Sequence, residues 1–212
     1  MRRKQSEPQI KARIRAAAMR LFSARGIEDT SVRDIVRVAG TTQPMLYYYF
    51  GTKENLYLDI FNLISEDLLH GVSGILTGKH ALRDKIASLM GFYHGYFSVH
   101  PAAAKFVLHS SLTERKTGEL RTICDDTRGK YIALLEKALT DHSTTGELSK
   151  TRVDTIIHTL NAAFFYFLAV CARGDRIRKM SRLPREMADI VYAGLTAGNT
   201  DSARNIRQEA RG

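Results

Sequence analysis

Cysteine is scarce in this chain and offers no framework for disulfides or for a structural metal. The two cysteines, Cys124 and Cys171, lie far apart in the 212 residues and match neither a C-x-x-C motif nor a Cys/His ligand spacing. We therefore expect two apolar thiols in a reducing compartment and no metal site.

Long hydrophobic runs are also missing. The most apolar window, AAFFYFLAVCA at residues 162–172, is shorter than the roughly 20 residues that cross a bilayer, and it predicts a buried helix. The chain begins MRRKQSEPQIKARIR, which is polar and basic and lacks the apolar segment of a signal peptide. We expect a cytoplasmic protein with no membrane partner.

The sequence lacks the common catalytic signatures. It contains no G-x-S-x-G, H-E-x-x-H, P-loop or G-x-G-x-x-G motif, and no Ser/His/Asp set follows from spacing. His94, His100 and His109 are too dispersed to argue for a metal site. We expect a protein that is not an enzyme and uses no cofactor, with an unrecognised α-helical enzyme as the alternative.

Basic residues are abundant and are concentrated near the N-terminus. The formal net charge is +10; residues 1–56 hold 11 Lys/Arg against 5 Asp/Glu, whereas the other 156 residues hold 21 against 17. This distribution favours a phosphate-binding surface in the first quarter of the chain, although basic surfaces also serve solubility.

Helical periodicity extends over nearly the whole chain, so the predicted fold class is all-α. The first helix should end near Arg25, because Gly26 stands at the position of a C-cap. Its apolar positions recur at helical spacing: Ile10, Ile14, Ala17, Ala18, Leu21 and Phe22.

Two short helices should follow. Ser31 and Asp34 have the S-x-x-D form of a capping box, and Gly40 should end the helix that they begin. Thr42 is a plausible N-cap for the next helix, where Pro44 falls in the first turn and costs no hydrogen bond. Two helices joined by a glycine turn predict a helix-turn-helix.

The segment TTQPMLYYYF at residues 41–50 places three consecutive tyrosines on the second of these helices. A rotation of about 100° per residue puts Leu46 and Phe50 on one side, toward the core, and turns most of the tyrosine rings outward. Outward phenols beside threonine and glutamine can contact thymine methyls and phosphate oxygens, as a recognition helix in the major groove requires. Lys53 opens the next helix, where free N–H groups and its own charge predict a phosphate contact.

The segment from Ile10 to Leu56 resembles the DNA-binding domain of the TetR family of transcriptional repressors. The resemblance is carried by AAAMRLFSARGIEDTSVRDIVRVAGTTQPMLYYYFGTKENL, with its first-helix core, glycine, T-S capping step, D-I-V, A-G turn, L-Y-x-x-F and K-E-x-L in the family's order. Thr41 stands where the family usually has an apolar residue, and Tyr49 where histidine is common. Both departures could alter operator preference or phosphate geometry.

The resemblance implies roles for residues at matching positions. Gln43 is suited to a bidentate pair with adenine, Arg33 could reach guanine, and Tyr48 would lie at the groove wall. Tyr47 could instead pack the recognition helix on the first helix, or do both. The other implied base contacts are Thr42, Pro44 and Met45, and the implied phosphate contacts are Ser31, Tyr47, Tyr49 and Lys53. Arg2, Arg3 and Lys4 could form a minor-groove arm or a disordered terminus.

Three regions are expected: a helix-turn-helix domain at residues 1–52, a helical effector-binding and dimerisation domain at 53–200, and a disordered tail at 201–212. Beyond residue 56 the resemblance concerns architecture alone. Helices are predicted near 53–76, 81–99, 102–114, 119–141, 149–172 and 183–197, separated by glycine and proline.

The helix near 149–172 is apolar on two sides and therefore needs two partners. Together with the last helix it could form half of a four-helix bundle across a two-fold axis, as in the family. The alternative is that a monomer core buries both sides. The predicted dimer interface contains Phe164, Phe167, Leu168, Met187, Val191 and Leu195.

The middle helices carry many aromatic residues with a few polar groups, a composition typical of an effector pocket, although any one of them could belong to the core. The predicted lining contains Phe92, Tyr93, Tyr96, Phe97, Phe106, His109, Tyr131, Asn161 and Phe165. The resulting hypothesis is a homodimeric repressor that binds a palindromic operator and is released by a small apolar or aromatic ligand. Control by a protein partner or by abundance remains the alternative to a ligand, and activation of transcription remains the alternative to repression.

Overall fold

The computed structural model describes residues 7–112, 119–140, 150–174 and 182–194, and within them it is helical without any strand. The all-α prediction is confirmed. The predicted tail at 201–212, Leu195 and the basic residues 2–4 lie outside the described residues. The helices are α1 (Glu7–Arg25), α2 (Val32–Ala39), α3 (Gln43–Phe50), α4 (Lys53–Thr77), α5 (Leu82–Val99), α6 (Pro101–Leu112), α7 (Glu119–Thr140), α8 (Lys150–Arg173) and α9 (183–194).

One hydrophobic core joins α1, α2 and α3 to the first half of α4. Ile14, Phe22, Ile35 and Leu46 are its fully buried centre, each at most 1% exposed. The spacing predicted from the sequence therefore places these apolar side chains on the inward face of each helix. Helix α6 completes this core, since Ala103 and Phe106 are buried in it.

A second core lies between α5 and α8 and extends to the far half of α4, to α7 and to α9. Its fully buried residues include Leu89, Phe97, Phe167 and Leu168. Helix α4 contributes to both cores, with Ile60 in the first and Val72 in the second. A shift of α4 or α6 relative to the second core would therefore reach the first.

Helix α8 contains a 21-residue segment, Val153–Arg173, that is long and apolar enough to cross a membrane by length and composition alone. Several of its side chains, such as Ile157, Leu160 and Phe167, form the second core. This burial accounts for the apolar composition of α8, since the central helix of a helical domain is hydrophobic on more than one side.

Candidate nucleic-acid interface and effector cavity

Helix α2 is fixed at its start by the capping box that the sequence predicts. The Ser31 hydroxyl oxygen accepts a hydrogen bond from the backbone N–H of Asp34 at 3.1 Å. The same hydroxyl donates to the Asp34 carboxylate at 2.9 Å. The cap satisfies a free N–H of the first turn and holds both side chains at the end of the helix.

Asp34 also links α2 to the end of α1. Its carboxylate oxygens lie 2.6 Å from Arg25 Nη2 and 2.7 Å from Arg37 Nη2. The hydrogen bond from Ser31, followed by that from Arg25, lowers the pKa of Asp34 below its ordinary value. Both arginines are therefore oriented by a carboxylate that stays ionised at neutral pH.

The turn between α2 and α3 depends on Gly40, whose φ of 59° lies in the left-handed region that favours glycine. Its N–H caps the end of α2 by donating to Arg37 O. Thr42 stands at the N-cap of α3, as predicted, although its side chain makes no capping hydrogen bond. Helix α3 thus follows α2 through a short, defined turn, and the predicted helix-turn-helix is confirmed.

Helix α3 divides into a core side and an exposed side. Leu46 and Phe50 are buried, at 0% and 7% exposure, while Tyr47 is 48% and Tyr48 71% exposed. The exposed rings are not core residues, which confirms the outward orientation inferred from the helical wheel. Two neighbouring exposed phenols combine apolar rings with hydroxyls that can form hydrogen bonds, so this face is a candidate contact surface.

Tyr49 differs from its two neighbours. Its hydroxyl is covered and has no hydrogen-bond partner among the described residues, and its ring packs edge-on against Tyr48 and Phe50. Burial, followed by the nearby carboxylate of Glu7, raises its pKa. A phosphate contact by Tyr49 would therefore require its side chain to turn outward.

Lys53 lies at the first position of α4, half-buried, and its ammonium donates to the carbonyl oxygen of Ile27 at 2.8 Å. Thr52 caps the same helix end by accepting from the N–H of Asn55. An ammonium has three N–H donors, so one bond to the loop between α1 and α2 leaves two for a phosphate. Lys53 therefore has a structural contact in addition to its predicted DNA contact.

The remaining predicted DNA contacts lie at the start of α2 and at the start of α3. Met45 is half-buried beside the exposed start of α3, and the others are exposed: Ser31, Arg33, Thr42, Gln43 and Pro44. Every predicted contact residue in the described region thus has at least part of its side chain at the surface, although the hydroxyl of Tyr49 is covered.

A cavity of about 540 Å³ opens between α4, α5, α6, α7 and α8. Its size lies within the range of small-molecule sites. Four of the predicted pocket residues line it: Tyr93, Tyr131, Asn161 and Phe165.

The aromatic side of the cavity is organised by two phenols. The hydroxyls of Tyr93 and Tyr131 are hydrogen-bonded at 2.8 Å, and the ring of Phe164 packs edge-on against Tyr93 with 5.0 Å between centroids. Burial raises the pKa of Tyr131 to about 12 and that of Tyr93 well above its ordinary value. This wall is therefore polar and uncharged at neutral pH.

Five of the predicted pocket residues do not line this cavity. Phe92 packs over Gly71 on α4, and Tyr96 reaches Asp67 with its hydroxyl at 3.4 Å. Phe97 is in the centre of the second core. Phe106 and His109 lie on the side of α6 that faces the first domain, with the Phe106 ring against Tyr57 and the His109 ring against Gly26. Aromatic composition did not distinguish the two sides of α5 and α6.

Most of the residues that line the cavity on α4 and α7 were not predicted from the sequence. The helical wheel of α7 contained a usable signal, because residues 121, 124, 125, 128 and 131 share one side. The missed residues are Phe61, Ser65, Leu68, Leu69, Val72, Val107, Ser111, Arg121, Cys124, Asp125, Thr127, Arg128, His158 and Phe164.

The predicted dimer interface requires a correction on α8. Phe167 and Leu168 are 1% and 0% exposed inside the protomer, and Phe164 lines the cavity, so these side chains are not available to a partner helix. Met187 and Val191 on α9 are half-buried against the same core. The large apolar side chains exposed on the described parts of these helices are instead Tyr166, at 40%, and Ile190, at 72%, together with Phe165, at 41%, which lines the cavity.

Helix α6 connects the cavity to the helix-turn-helix domain. Val107 lines the cavity, while the neighbouring Phe106 packs on Tyr57 of α4 with 4.7 Å between ring centroids. At its start, the carbonyl of Ala102 accepts a hydrogen bond from the Ser23 hydroxyl of α1 at 3.0 Å. A ligand that displaces α6 would therefore act directly on α1 and α4.

Among the described residues, no group of three or more His, Cys, Asp or Glu side chains is placed to hold a metal ion.

Comparison with known proteins places the first domain in a described family. Residues 14–60 match the family model of bacterial regulatory proteins of the tetR family. The chain is 25% identical over 138 residues to the HTH-type transcriptional repressor NicS of Pseudomonas putida, a match that covers 63% of this chain and 65% of NicS. It is 30% identical over 132 residues to the HTH-type transcriptional repressor KstR2 of Rhodococcus jostii, covering 59% of this chain and 63% of KstR2. These matches span less than two thirds of the length of either relative.

Solved structures resemble the fold over most of the chain. The transcriptional regulator FadR from Bacillus subtilis, in complex with stearoyl-CoA, superposes with a TM-score of 0.65 and 17% identity. That superposition covers 84% of this chain and 96% of FadR. At this identity the likeness shows a shared fold.

Proposed function

Because the chain belongs to the TetR family of bacterial regulatory proteins, we propose that it is a cytoplasmic, homodimeric repressor that binds a palindromic operator and is released by a small ligand. The observation that carries this proposal is the exposed side of α3, where Tyr47 and Tyr48 are presented to solvent next to Gln43. Such a helix suits the major groove, which is wide enough to admit it.

The proposed DNA surface separates base contacts from phosphate contacts. Gln43 and Arg33 are exposed and have the donors that read adenine and guanine edges. Lys53 and Ser31, at the starts of α4 and α2, would fix the domain on the phosphates without reading sequence. Thr42, Pro44 and Met45 would border the bases, Tyr47 and Tyr49 the phosphates, and Tyr48 the groove wall.

The proposed dimer uses the outer side of α8 and α9. Tyr166 and Ile190 are large apolar side chains left exposed there, although α8 is otherwise a core helix. Pairing of two copies through this side would form a four-helix bundle across a two-fold axis. A two-fold dimer reads two half-sites, which is why we expect a palindrome.

The proposed effector site is the cavity between α4 and α8. Its volume and its aromatic lining suit a small, largely apolar molecule, and a protein of the same fold, FadR, holds stearoyl-CoA in its solved structure. Since α4 and α6 contribute to the cavity and to the first core, a ligand can alter the distance between recognition helices. The ligand can shift the protein from a DNA-binding state to a released state only by as much as its affinity differs between those two states.

Selection of genomic fragments by the purified protein tests the DNA-binding part of the proposal. We expect an enriched palindrome whose half-sites lie one helical turn apart or a multiple of it. Enrichment of single, asymmetric sites would contradict the dimer, and absence of any enriched motif would contradict sequence-specific binding. If cell extract releases the DNA but solvent-extractable compounds from cells never do, a protein partner controls the repressor. If neither releases the DNA, control by abundance is favoured.

A further inference from the structure

The charged groups of the cavity all belong to one helix. Arg121, Asp125 and Arg128 are the lining residues that carry a formal charge, and all three lie on α7. The cavity-lining residues of α4, α5, α6 and α8 include no Asp, Glu, Lys or Arg. The cavity is therefore electrostatically one-sided.

The three charged residues mark the edge of the cavity rather than its interior. At 100° per residue they fall within about 60° of one another on α7, while Cys124, Thr127 and Tyr131 fall on the adjoining side. Arg121, Asp125 and Arg128 are exposed, whereas those three residues are half-buried. The charges thus form a rim next to solvent, and the interior beyond it is uncharged.

The rim has a positive balance. Arg121 Nε lies 3.8 Å from the Asp125 carboxylate. Because both side chains are exposed and the distance is long, this ion pair is weak. Arg128 has no carboxylate within 4.0 Å among the described residues. Two guanidinium groups against one carboxylate leave a net charge of +1 at the mouth, so a cationic ligand would be repelled there and an anionic one attracted.

The interior suits an apolar body. Phe61, Leu68, Val72 and Phe164 contribute aromatic and aliphatic surface from α4 and α8. The two phenols are neutral, and each hydroxyl has one proton, so their mutual hydrogen bond leaves one donor for an acceptor group on the ligand. A buried anion would have no ionised partner in this interior and would be costly there.

We propose that the cavity binds an anionic amphiphile, with its apolar body against α4 and α8 and its anionic group at Arg121 and Arg128. The anion can be the carboxylate of a free apolar acid or a phosphate of its coenzyme A thioester, since guanidinium groups bind both oxyanions. The inference rests on the proposed function only in taking this cavity as the effector site.

The chain carries a built-in probe of cavity occupancy. Cys124 lines the cavity and is half-buried, while Cys171 is fully buried at 0% exposure. Alkylation by iodoacetamide, located by peptide mass spectrometry, should therefore modify Cys124 in the native protein and leave Cys171 unmodified. A ligand in the cavity should slow the reaction at Cys124, with no need for DNA.

The experiment compares four ligands that share a ten-carbon chain: decanoate, decanoyl-CoA, 1-decanol and decylammonium, each below its aggregation concentration. We expect protection of Cys124 by decanoate or by decanoyl-CoA at lower concentrations than by 1-decanol, and least by decylammonium. Protection by decanoate alone identifies the carboxylate as the recognised anion, and protection by the thioester alone identifies the phosphates. Equal or better protection by 1-decanol or decylammonium would overturn the proposal, as would absence of protection by all four.

Variants on α7 test the rim. Arg128→Gln and Arg121→Gln should each weaken protection by the anionic ligand about two- to fivefold, the range of an exposed charge pair, and leave that by 1-decanol unchanged. Lys130→Gln is the matched control, because Lys130 is an exposed cation on the same helix that does not line the cavity. An equal effect of all three variants would indicate that the overall positive charge of α7 attracts the ligand, and it would contradict binding of the anion at the rim. Because protection is measured without DNA, failure of operator binding would leave this result interpretable.

Discussion

The guanidinium group of Arg13 on α1 donates a hydrogen bond to the carbonyl oxygen of Gly40, at 3.0 Å, where the chain turns from α2 into α3. The same nitrogen donates to the carbonyl of Ala39, the last residue of α2. A cation at the C-terminal end of a helix satisfies free carbonyls and complements the helix dipole. Helix α1 thereby holds the turn that orients the recognition helix.

Removing this contact should loosen the turn. We expect Arg13→Ala to lower the free energy of unfolding by about 1–2 kcal/mol, because two carbonyls lose a charged donor. We also expect it to weaken operator binding, since the turn before the recognition helix becomes looser. Arg20→Ala is the control, since Arg20 is exposed on the same helix. Urea denaturation measures the stability, and equal midpoints for the two variants would refute the role given to Arg13.

Base and phosphate contacts should respond differently to substitution. Gln43→Ala should cost roughly 1–3 kcal/mol at one base pair and relax the preference there. Lys53→Ala should weaken binding to all sequences alike and flatten the salt dependence by about one unit of slope. Because Lys53 also bonds to Ile27, its variant should lose some stability too, so binding must be compared well below the unfolding temperature. Unchanged sequence preference in Gln43→Ala would mean that α3 is oriented differently on DNA.

The sequence predicted the first domain more completely than the second. The N-cap at Ser31, the left-handed Gly40 and the inward side of α3 each follow from local rules that act within a few residues, and all three are present. The cavity depends on which side of each helix meets its neighbours. Phe106 is buried in the first core, whereas its neighbour Val107 packs against both cores and lines the cavity, a distinction that requires the packing of α6.

Charged residues of the cavity escaped prediction for a related reason. Arg121 and Arg128 lie on a helix with exposed charges on much of its surface, and a charged residue on such a helix normally faces water. Their proximity to apolar residues of α4 arises only from tertiary packing. The exposed sides of α8 were equally ambiguous, because Tyr166 and Phe167 are adjacent aromatic residues of which only the second is buried.

Alkaline pH should reveal the buried phenols. Burial raises the pKa of Tyr131 to about 12, against about 10 in an unfolded chain. The folded protein then keeps a proton that the unfolded chain releases, so the stability from this group is complete below pH 10 and is lost as the pH rises to about 12. Between pH 10 and pH 12 we expect the free energy of unfolding to fall less in Tyr131→Phe than in the unaltered protein, by on the order of 1–2 kcal/mol. The difference in stability between the two proteins at pH 8 serves as the baseline. A parallel fall of stability in both proteins from pH 10 to 12 would contradict it.

Two glycines of α4 should respond in opposite directions to alanine. A Cβ at Gly71 would lie 2.2 Å from Phe92 Cζ on α5, whereas a Cβ at Gly74 would have no neighbour within 4 Å. Gly74→Ala should therefore stabilise the protein by about 0.5–1 kcal/mol through helix propensity. Gly71→Ala should destabilise it by about 1–3 kcal/mol, because overpacking outweighs that gain. Adding Phe92→Leu to Gly71→Ala should restore part of the loss, and a stabilising Gly71→Ala would show that the two helices separate at little cost.

The exposed residues of α8 and α9 should govern dimerisation. Ile190→Glu and Tyr166→Glu each place a charge on the proposed interface, where it would be buried without a partner in the dimer, and both should yield folded monomers in analytical ultracentrifugation. Val99→Glu is the matched control, because Val99 is 73% exposed, as Ile190 is at 72%, and lies at the end of α5. Phe167→Glu should instead unfold the protein, since that ring is buried inside one protomer.

The monomers of Ile190→Glu and Tyr166→Glu should also lose high-affinity operator binding, because one protomer contacts a single half-site. Dimers that persist in Ile190→Glu and Tyr166→Glu would place the interface on another surface, and monomers in Val99→Glu would move it toward the end of α5.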